Sequence, residues 1–263
     1  MFLQNKIVWV TGASSGIGQE IAIQCAKNGA QVVLSSRSEA ALLKVQEKLA
    51  GTNHLVLPLD LQHSDNFTEL VKTVIEKYGR IDFLFNNGGL SQRSNARDTS
   101  IDIDRYLMEV NYFGNIALTK AVLPFMIQQK SGHIVAISSI AGKFGFFLRS
   151  AYSASKHAVQ GFYESLALEE EENGLNVTIA YPGKINTNIS MNALNEKGEK
   201  HNVMDHNQAT GMSVEDCVAA LLKGVQKNKR EVVIGNKETL AVYLKRFLPQ
   251  KLFWNIMKKQ SAT

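Results

Sequence analysis

Short β-branched apolar runs alternate with longer helical stretches along nearly the whole 263-residue chain. Lys6–Val10, Gln31–Ser35, His54–Leu59, Ile81–Phe85, His133–Ser138, Asn176–Tyr181 and Glu231–Gly235 predict strands. Most of these runs are continuously apolar, as strands covered on both faces of a parallel sheet must be. Between them, Ile17–Asn28, Glu39–Ala50, Asp65–Tyr78, Ile101–Gln129, Ala151–Asn173 and Val214–Asn228 predict helices. Gly29, Gly79 and Gly174 stand where helices should end. Ser38, Ser64 and Ser213 stand where they should begin, each with acidic residues in the following turn. Repeated strand–helix–strand units imply right-handed crossovers, hence one doubly wound α/β domain over residues 1–263. Lys184–Met212 breaks the rhythm: it is polar, aperiodic and follows a predicted strand. That position predicts a substrate loop at the carboxyl edge of the sheet, where such folds bind ligands. Residues 236–263 form a carboxyl-terminal extension.

Composition narrows the function classes. A hydrophobic content of 44% with 20% charged residues excludes disordered and collagen-like chains. No apolar run reaches the roughly 18 residues that span a bilayer, and the amino terminus runs into a strand without a signal-peptide pattern. A cytoplasmic protein is expected. Cys25 and Cys217 have neither disulfide nor metal-ligand spacing, so a reducing compartment and no metal are expected. The net charge of +5 gathers late in the chain, in Lys227, Lys229, Arg230, Lys245, Arg246, Lys251, Lys258 and Lys259. Such an excess suits an anionic cofactor or an acidic membrane surface. No nucleic-acid motif accompanies it, and no nucleic-acid partner is expected.

Three groups of residues carry chemistry. Thr11-Gly12-Ala13-Ser14-Ser15-Gly16-Ile17-Gly18 joins the first strand to the first helix. Glycines there let backbone amides approach a pyrophosphate that faces the helix amino terminus. The spacing is G-x-x-x-G-x-G rather than G-x-G-x-x-G. The second strand ends in Ser36 and Arg37, where an NAD site would carry a carboxylate for the ribose. A hydroxyl and a guanidinium suit the 2′-phosphate of NADP instead. Tyr152 and Lys156 lie four apart on a predicted helix and share a face. A phenol titrates near 10, and a nearby ammonium favours its ionised form, so Tyr152 can serve as a general acid or base.

In order along the chain, TGASSGIG, Asn86-Asn87-Gly88-Gly89, Asn111, Ser138-Ser139, Tyr152-x-x-x-Lys156 and Pro182-Gly183 resemble the short-chain dehydrogenase/reductase family, and within it the member 7-like branch. The resemblance covers roughly Lys6 to Gly235. It implies a seven-stranded Rossmann sheet and hydride transfer between NADP(H) and a ketone, aldehyde or secondary alcohol. Tyr152 would be the acid/base and Lys156 would orient the nicotinamide ribose. Ser139, rather than Ser138, would bond the substrate oxygen, and Asn111 would hold a relay water. Hydride addition builds negative charge on that oxygen, which donors at Ser139 and Tyr152 would stabilise. Gly12, Ser14, Ser15, Gly16, Ile17 and Gly18 would cradle the diphosphate, with Asp60 and Leu61 near the adenine. Asn87 and Gly88 would flank the adenosine ribose side. Pro182, Gly183, Ile185 and Thr187 would meet the nicotinamide end and diphosphate. Gly88 departs from the family's alanine, and the missing methyl should loosen its loop slightly. The alternative reading is a non-catalytic NADP-binding module that senses redox state or scaffolds a partner.

Residues 240–259 interleave Tyr243, Leu244, Phe247, Leu248, Leu252, Phe253, Trp254 and Ile256 with basic residues. Pro249 must break any helix there. The stretch suits packing over the cleft, contact with another subunit, or peripheral attachment to a membrane. Assembly as a homodimer or homotetramer is expected.

Overall fold

The computed structural model describes residues 2–260. Residue 1 and residues 261–263, the end of the expected extension, lie outside the described residues. The strands are β1 (Ile7–Thr11), β2 (Gln31–Ser35), β3 (Leu55–Val56), β4 (Phe83–Asn86), β5 (Gly132–Ile137), β6 (Leu175–Pro182) and β7 (Glu231–Ile234). All pair in parallel, in the order β3-β2-β1-β4-β5-β6-β7. The order reverses between β1 and β4, which opens a crevice at their carboxyl ends.

The helices are α1 (Gly16–Lys27), α2 (Glu39–Gln46), α3 (Phe67–Tyr78), α4 (Ile101–Met108), α5 (Gly114–Gln129), α6 (Ser150–Glu169), α7 (His206–Ala209), α8 (Val214–Gln226), α9 (Leu240–Phe247) and α10 (Gln250–Met257). Alternate strand residues serve two cores, as the continuous apolar runs require. Val8, Val10, Val32 and Leu34 pack on the α1 and α8 side, against Ile21, Cys25, Val218 and Leu221. Trp9, Val33, Leu84 and Ile134 pack on the other, against Val71, Leu118, Val122 and Tyr163.

Several boundaries differ from the sequence reading. Ile101–Gln129 is not one helix: a π-helical turn at Glu109–Phe113 divides it. The strand β3 is only Leu55–Val56 of the expected His54–Leu59, although Leu57 N and Leu59 N go on donating to Leu34 O and Ser36 O past Pro58. Helix α3 begins after Asn66 rather than Ser64, and Ser64 O accepts from Phe67 N instead of capping with its side chain. Helix α6 ends at Glu169, the first of four consecutive glutamates, and Gly174 (φ 77°) turns the chain into β6. Ser38 and Ser213 do cap α2 and α8 with their side chains. Pro249 separates α9 from α10 and occupies the cap of the latter.

Candidate active site

Thr11 ends β1, and the chain turns through Gly12 (φ 64°) and Gly16 (φ 54°) into α1. Side chains resist that left-handed backbone. A Cβ on Gly12 would also stand 2.9 Å from Asn87 Nδ2 and from Gly88 Cα. The turn is thus pressed against the loop after β4. Thr11 Oγ1 accepts from Asn87 N at 3.0 Å and Gly88 N at 2.9 Å, while Asn87 Nδ2 donates to Thr11 O at 3.0 Å. These bonds hold the loop at Gly88, where a Cβ would stand 2.5 Å from Leu61 Cδ1. The missing methyl therefore leaves no slack, contrary to the expected loosening. Ser15 makes no side-chain cap to α1, whose first turn carries no acidic residue. Amides at such a terminus suit an anion.

A cavity of about 560 Å³ starts at this turn. Gly12, Ser14, Ser15, Gly16, Ile17, Ser36, Arg37, Asp60, Leu61, Asn87, Gly88 and Thr187 all line it. Gly18 does not, being buried where an added Cβ would collide with Gly12 O. At the end of β2, Ser35 Oγ accepts from Trp9 Nε1 at 2.9 Å and donates to Leu57 O at 2.6 Å. Ser36 Oγ, by contrast, is buried with no hydrogen-bond partner among the described residues. A buried hydroxyl left unpaired costs about 1–3 kcal/mol, so this one is suited to a ligand oxygen. The end of β2 offers a hydroxyl at Ser36 and an exposed guanidinium at Arg37, a pair that fits a 2′-phosphate, while the carboxylate of the cavity, Asp60, comes from the segment after β3.

A second cavity, of about 350 Å³, is lined by Ser139, Tyr152, Lys156, Pro182, Gly183 and Ile185. The two cavities share Ile17, Asn87, Gly89, Ser91, Thr187 and Ile189, so they adjoin. Tyr152 and Lys156 sit one turn apart on α6, both buried. Lys156 Nζ donates to Ile137 O at 2.8 Å and stands 5.8 Å from the Tyr152 ring centre. Ser139 hydrogen-bonds the Tyr152 side chain, whereas Ser138 Oγ donates to Lys156 O at 3.0 Å and braces the helix. Burial raises the Tyr152 phenol above its ordinary value, opposed by the Ser139 bond and by the charges of Arg149 and Arg93. Burial pulls Lys156 down to about 8.

Asn111 lies in the π turn and lines neither cavity. Its Oδ1 accepts from Leu90 N at 2.7 Å, and its Nδ2 donates to Leu90 O at 2.9 Å and Ser155 Oγ at 3.0 Å. It thereby ties the loop after β4 to α6 between Tyr152 and Lys156. Gly89 separates Asn111 from Lys156: a Cβ there would stand 2.9 Å from Asn111 Oδ1 and 3.6 Å from Lys156 Nζ.

Arg93, Arg149 and Asp205 also line the second cavity, and sequence reasoning passed over all three. Arg93 Nε and Nη2 donate to Asp205 Oδ2 at 2.8 and 2.6 Å, and Arg149 Nη2 reaches the same oxygen at 3.1 Å. Arg93 and Asp205 are buried, and Arg149 is pulled down to about 10 by burial and by Arg93. One signal was available: Arg149 stands three residues before Tyr152. Arg93 and Asp205 lie 112 positions apart, where no local pattern can pair them.

The profile of the short chain dehydrogenase family matches residues 6–198. A mouse protein, dehydrogenase/reductase SDR family member 7B, is 40% identical, with 99% of this chain aligned to 82% of that one. An Anopheles gambiae dehydrogenase/reductase SDR family protein 7-like is 41% identical, covering 98% and 84%. Among solved structures, a short-chain dehydrogenase from Streptomyces avermitilis superposes with a TM-score of 0.83 at 27% identity, over 97% of this chain and 98% of that one. The closed form of a serine dehydrogenase complexed with NADP+ gives 0.78 at 26%, over 88% and 94%. With the glycine-rich turn, the Ser139–Tyr152–Lys156 constellation and the seven-stranded sheet in place, the chain belongs to the short-chain dehydrogenase/reductase family of oxidoreductases.

Proposed function

We propose that this protein is an NADP(H)-dependent reductase of ketones or aldehydes, or in reverse a dehydrogenase of secondary alcohols. The observation that carries the reading is the junction of the two cavities. A dinucleotide laid along the first, its 2′-phosphate at Ser36 and Arg37, would end beside Tyr152 and Lys156 in the second. The bound cofactor supplies or accepts the hydride. Tyr152 gives its proton to the substrate oxygen as negative charge develops there, and Ser139 donates a second hydrogen bond to the same atom. Lys156, whose ammonium is anchored on Ile137 O, would hold the nicotinamide ribose and help reload the Tyr152 proton. Asn111, bonded to Ser155 and Leu90, keeps the relay end of this path in place. The substrate is a small molecule, and Ile140, Phe144, Phe146 and Ile189 supply apolar lining for it.

The serine dehydrogenase relative carries NADP+ in its solved structure, which agrees with the cofactor side of this reading. Both cysteines are free and buried. Exposed Phe113 and Leu168 offer apolar surface for assembly into a homodimer or homotetramer. The test is a panel of ketones and aldehydes scored by loss of NADPH absorbance. Turnover with at least one class is expected. Tight cofactor binding without consumption across the whole panel would favour a non-catalytic binding module.

A further inference from the structure

Helix α9 wears its apolar stripe on the outside. Leu240, Tyr243, Leu244 and Phe247 follow the i, i+3, i+4, i+7 spacing of one helix face, a face that globular domains normally turn inward. Here those side chains are 56%, 53%, 37% and 77% exposed. The inward side of the same segment is already satisfied: Ala241, Val242 and Leu248 pack against Phe144, Phe253 and Met257. Helix α10 adds exposed Leu252 and Trp254. Between Leu240 and Lys259 the chain has five basic residues and no acidic one, and Lys245, Arg246, Lys251, Lys258 and Lys259 are all exposed.

We propose that α9 and α10 form a docking surface for an anionic lipid bilayer. A helix with aliphatic and aromatic residues on one face and lysines beside it lies in the plane of the headgroups, and Tyr and Trp suit that boundary. The charge selects the occupant. A second copy laid on this surface would set like charges against each other, whereas acidic headgroups complement them. Each basic residue near such a surface strengthens binding about fivefold. The surface is also continuous with the catalytic cleft, since Leu240 and Leu244 belong to both the exposed stripe and the lining of the Tyr152 cavity. Docking would put the mouth of that cavity at the lipid boundary. None of this depends on which reaction the cleft performs.

The test is co-sedimentation of the full chain with vesicles of phosphatidylcholine alone or mixed equally with phosphatidylglycerol, at low and high salt. The expected result is recruitment by the anionic vesicles at low salt, release at high salt, and a blue shift of Trp254 emission on binding. Trp9 is fully buried and contributes a constant background. A Tyr243→Ser, Phe247→Ser double variant should lose about tenfold or more of its partitioning with an unchanged melting temperature. A Lys251→Glu, Lys258→Glu variant should lose about twenty-fivefold or more. Absence of recruitment at low salt overturns the proposal, as does equal recruitment by neutral vesicles. So does a Tyr243→Ser, Phe247→Ser protein that changes from dimer to monomer while sedimenting with lipid as before.

Discussion

In the proposed cofactor reading, Ser36 and Arg37 would divide the recognition of a 2′-phosphate between a buried hydroxyl without a partner among the described residues and an exposed charge. An Arg37→Ala variant should weaken NADPH about tenfold to a hundredfold and leave NADH nearly unchanged, the ratio expected for one charge-assisted bond. Ser36→Asp should reverse the preference by repelling phosphate and offering the NADH ribose an acceptor. Titrating both cofactors against the three proteins decides the matter; equal weakening of both by Arg37→Ala would remove Arg37 from the phosphate site. Tyr152→Phe keeps the ring and deletes the proton donor, so turnover should fall by about a hundredfold or more while cofactor affinity holds. Because burial raises the phenol, Tyr152 remains protonated through neutral and mildly alkaline pH. Ketone reduction should therefore hold steady until Lys156 loses its proton near pH 8 and decline above it, and alcohol oxidation, which needs the phenolate, should climb with pH. Rates in both directions between pH 6 and about 10 test this; an oxidation rate independent of pH would argue against Tyr152 as the base.

At the scale of elements, His133 shows how a strand interior can make stability depend on pH. It lies in β5, stacked on Phe83, with Nε2 2.8 Å from Thr178 Oγ1. Thr178 spends its own proton on Lys229 O, so the ring must donate and carries its hydrogen on Nε2. Burial lowers the ring to about 4 from 6.5. Below about pH 6.5 the unfolded chain takes up a proton that the folded chain refuses until about pH 4. Stability should fall by roughly 3 kcal/mol across that window. Urea unfolding at several pH values should show a His133→Gln variant with a shallower slope; an identical slope would place the acid sensitivity elsewhere. The elements also mark the limits of sequence legibility. Strand runs such as Val32–Leu34 were readable because burial on both faces demands uninterrupted apolar residues. The break in Ile101–Gln129 was not, because Glu109–Phe113 contains nothing that forbids an α-helix. Its π turn answers to Asn111, whose bonds reach Leu90 and Ser155 on other elements. The Tyr152–Lys156 pair was legible from spacing within one helix, whereas Arg93 and Asp205 meet only through the tertiary fold.

Across the whole molecule, the segment from Lys184 to Met212 contributes lining to both cavities. Ile185 bridges Met212, so its two ends are joined side by side, while Leu194 bridges Gln92. Thr187 and Ile189 line both cavities, Asn188 and Leu194 the first, and Asp205 and Gln208 the second. Replacing Asp205 by Asn keeps the shape and removes the charge that holds Arg93 and Arg149. Breaking a buried pair on one side typically costs 3–5 kcal/mol, so the segment should release more readily. Cofactor dissociation measured by stopped flow should quicken, and protease cleavage within residues 184–212 should increase; unchanged values for both would show that the pair does not restrain the segment. This geometry has a kinetic corollary. One segment lines both cavities and is pinned beside Tyr152 by the bonds of Asp205 to Arg93 and Arg149, so its release would widen both at once. If the unfastening of Arg93 from Asp205 limits turnover, thicker solvent should slow it even where the chemical step is fast; a rate indifferent to viscosity would set that step aside.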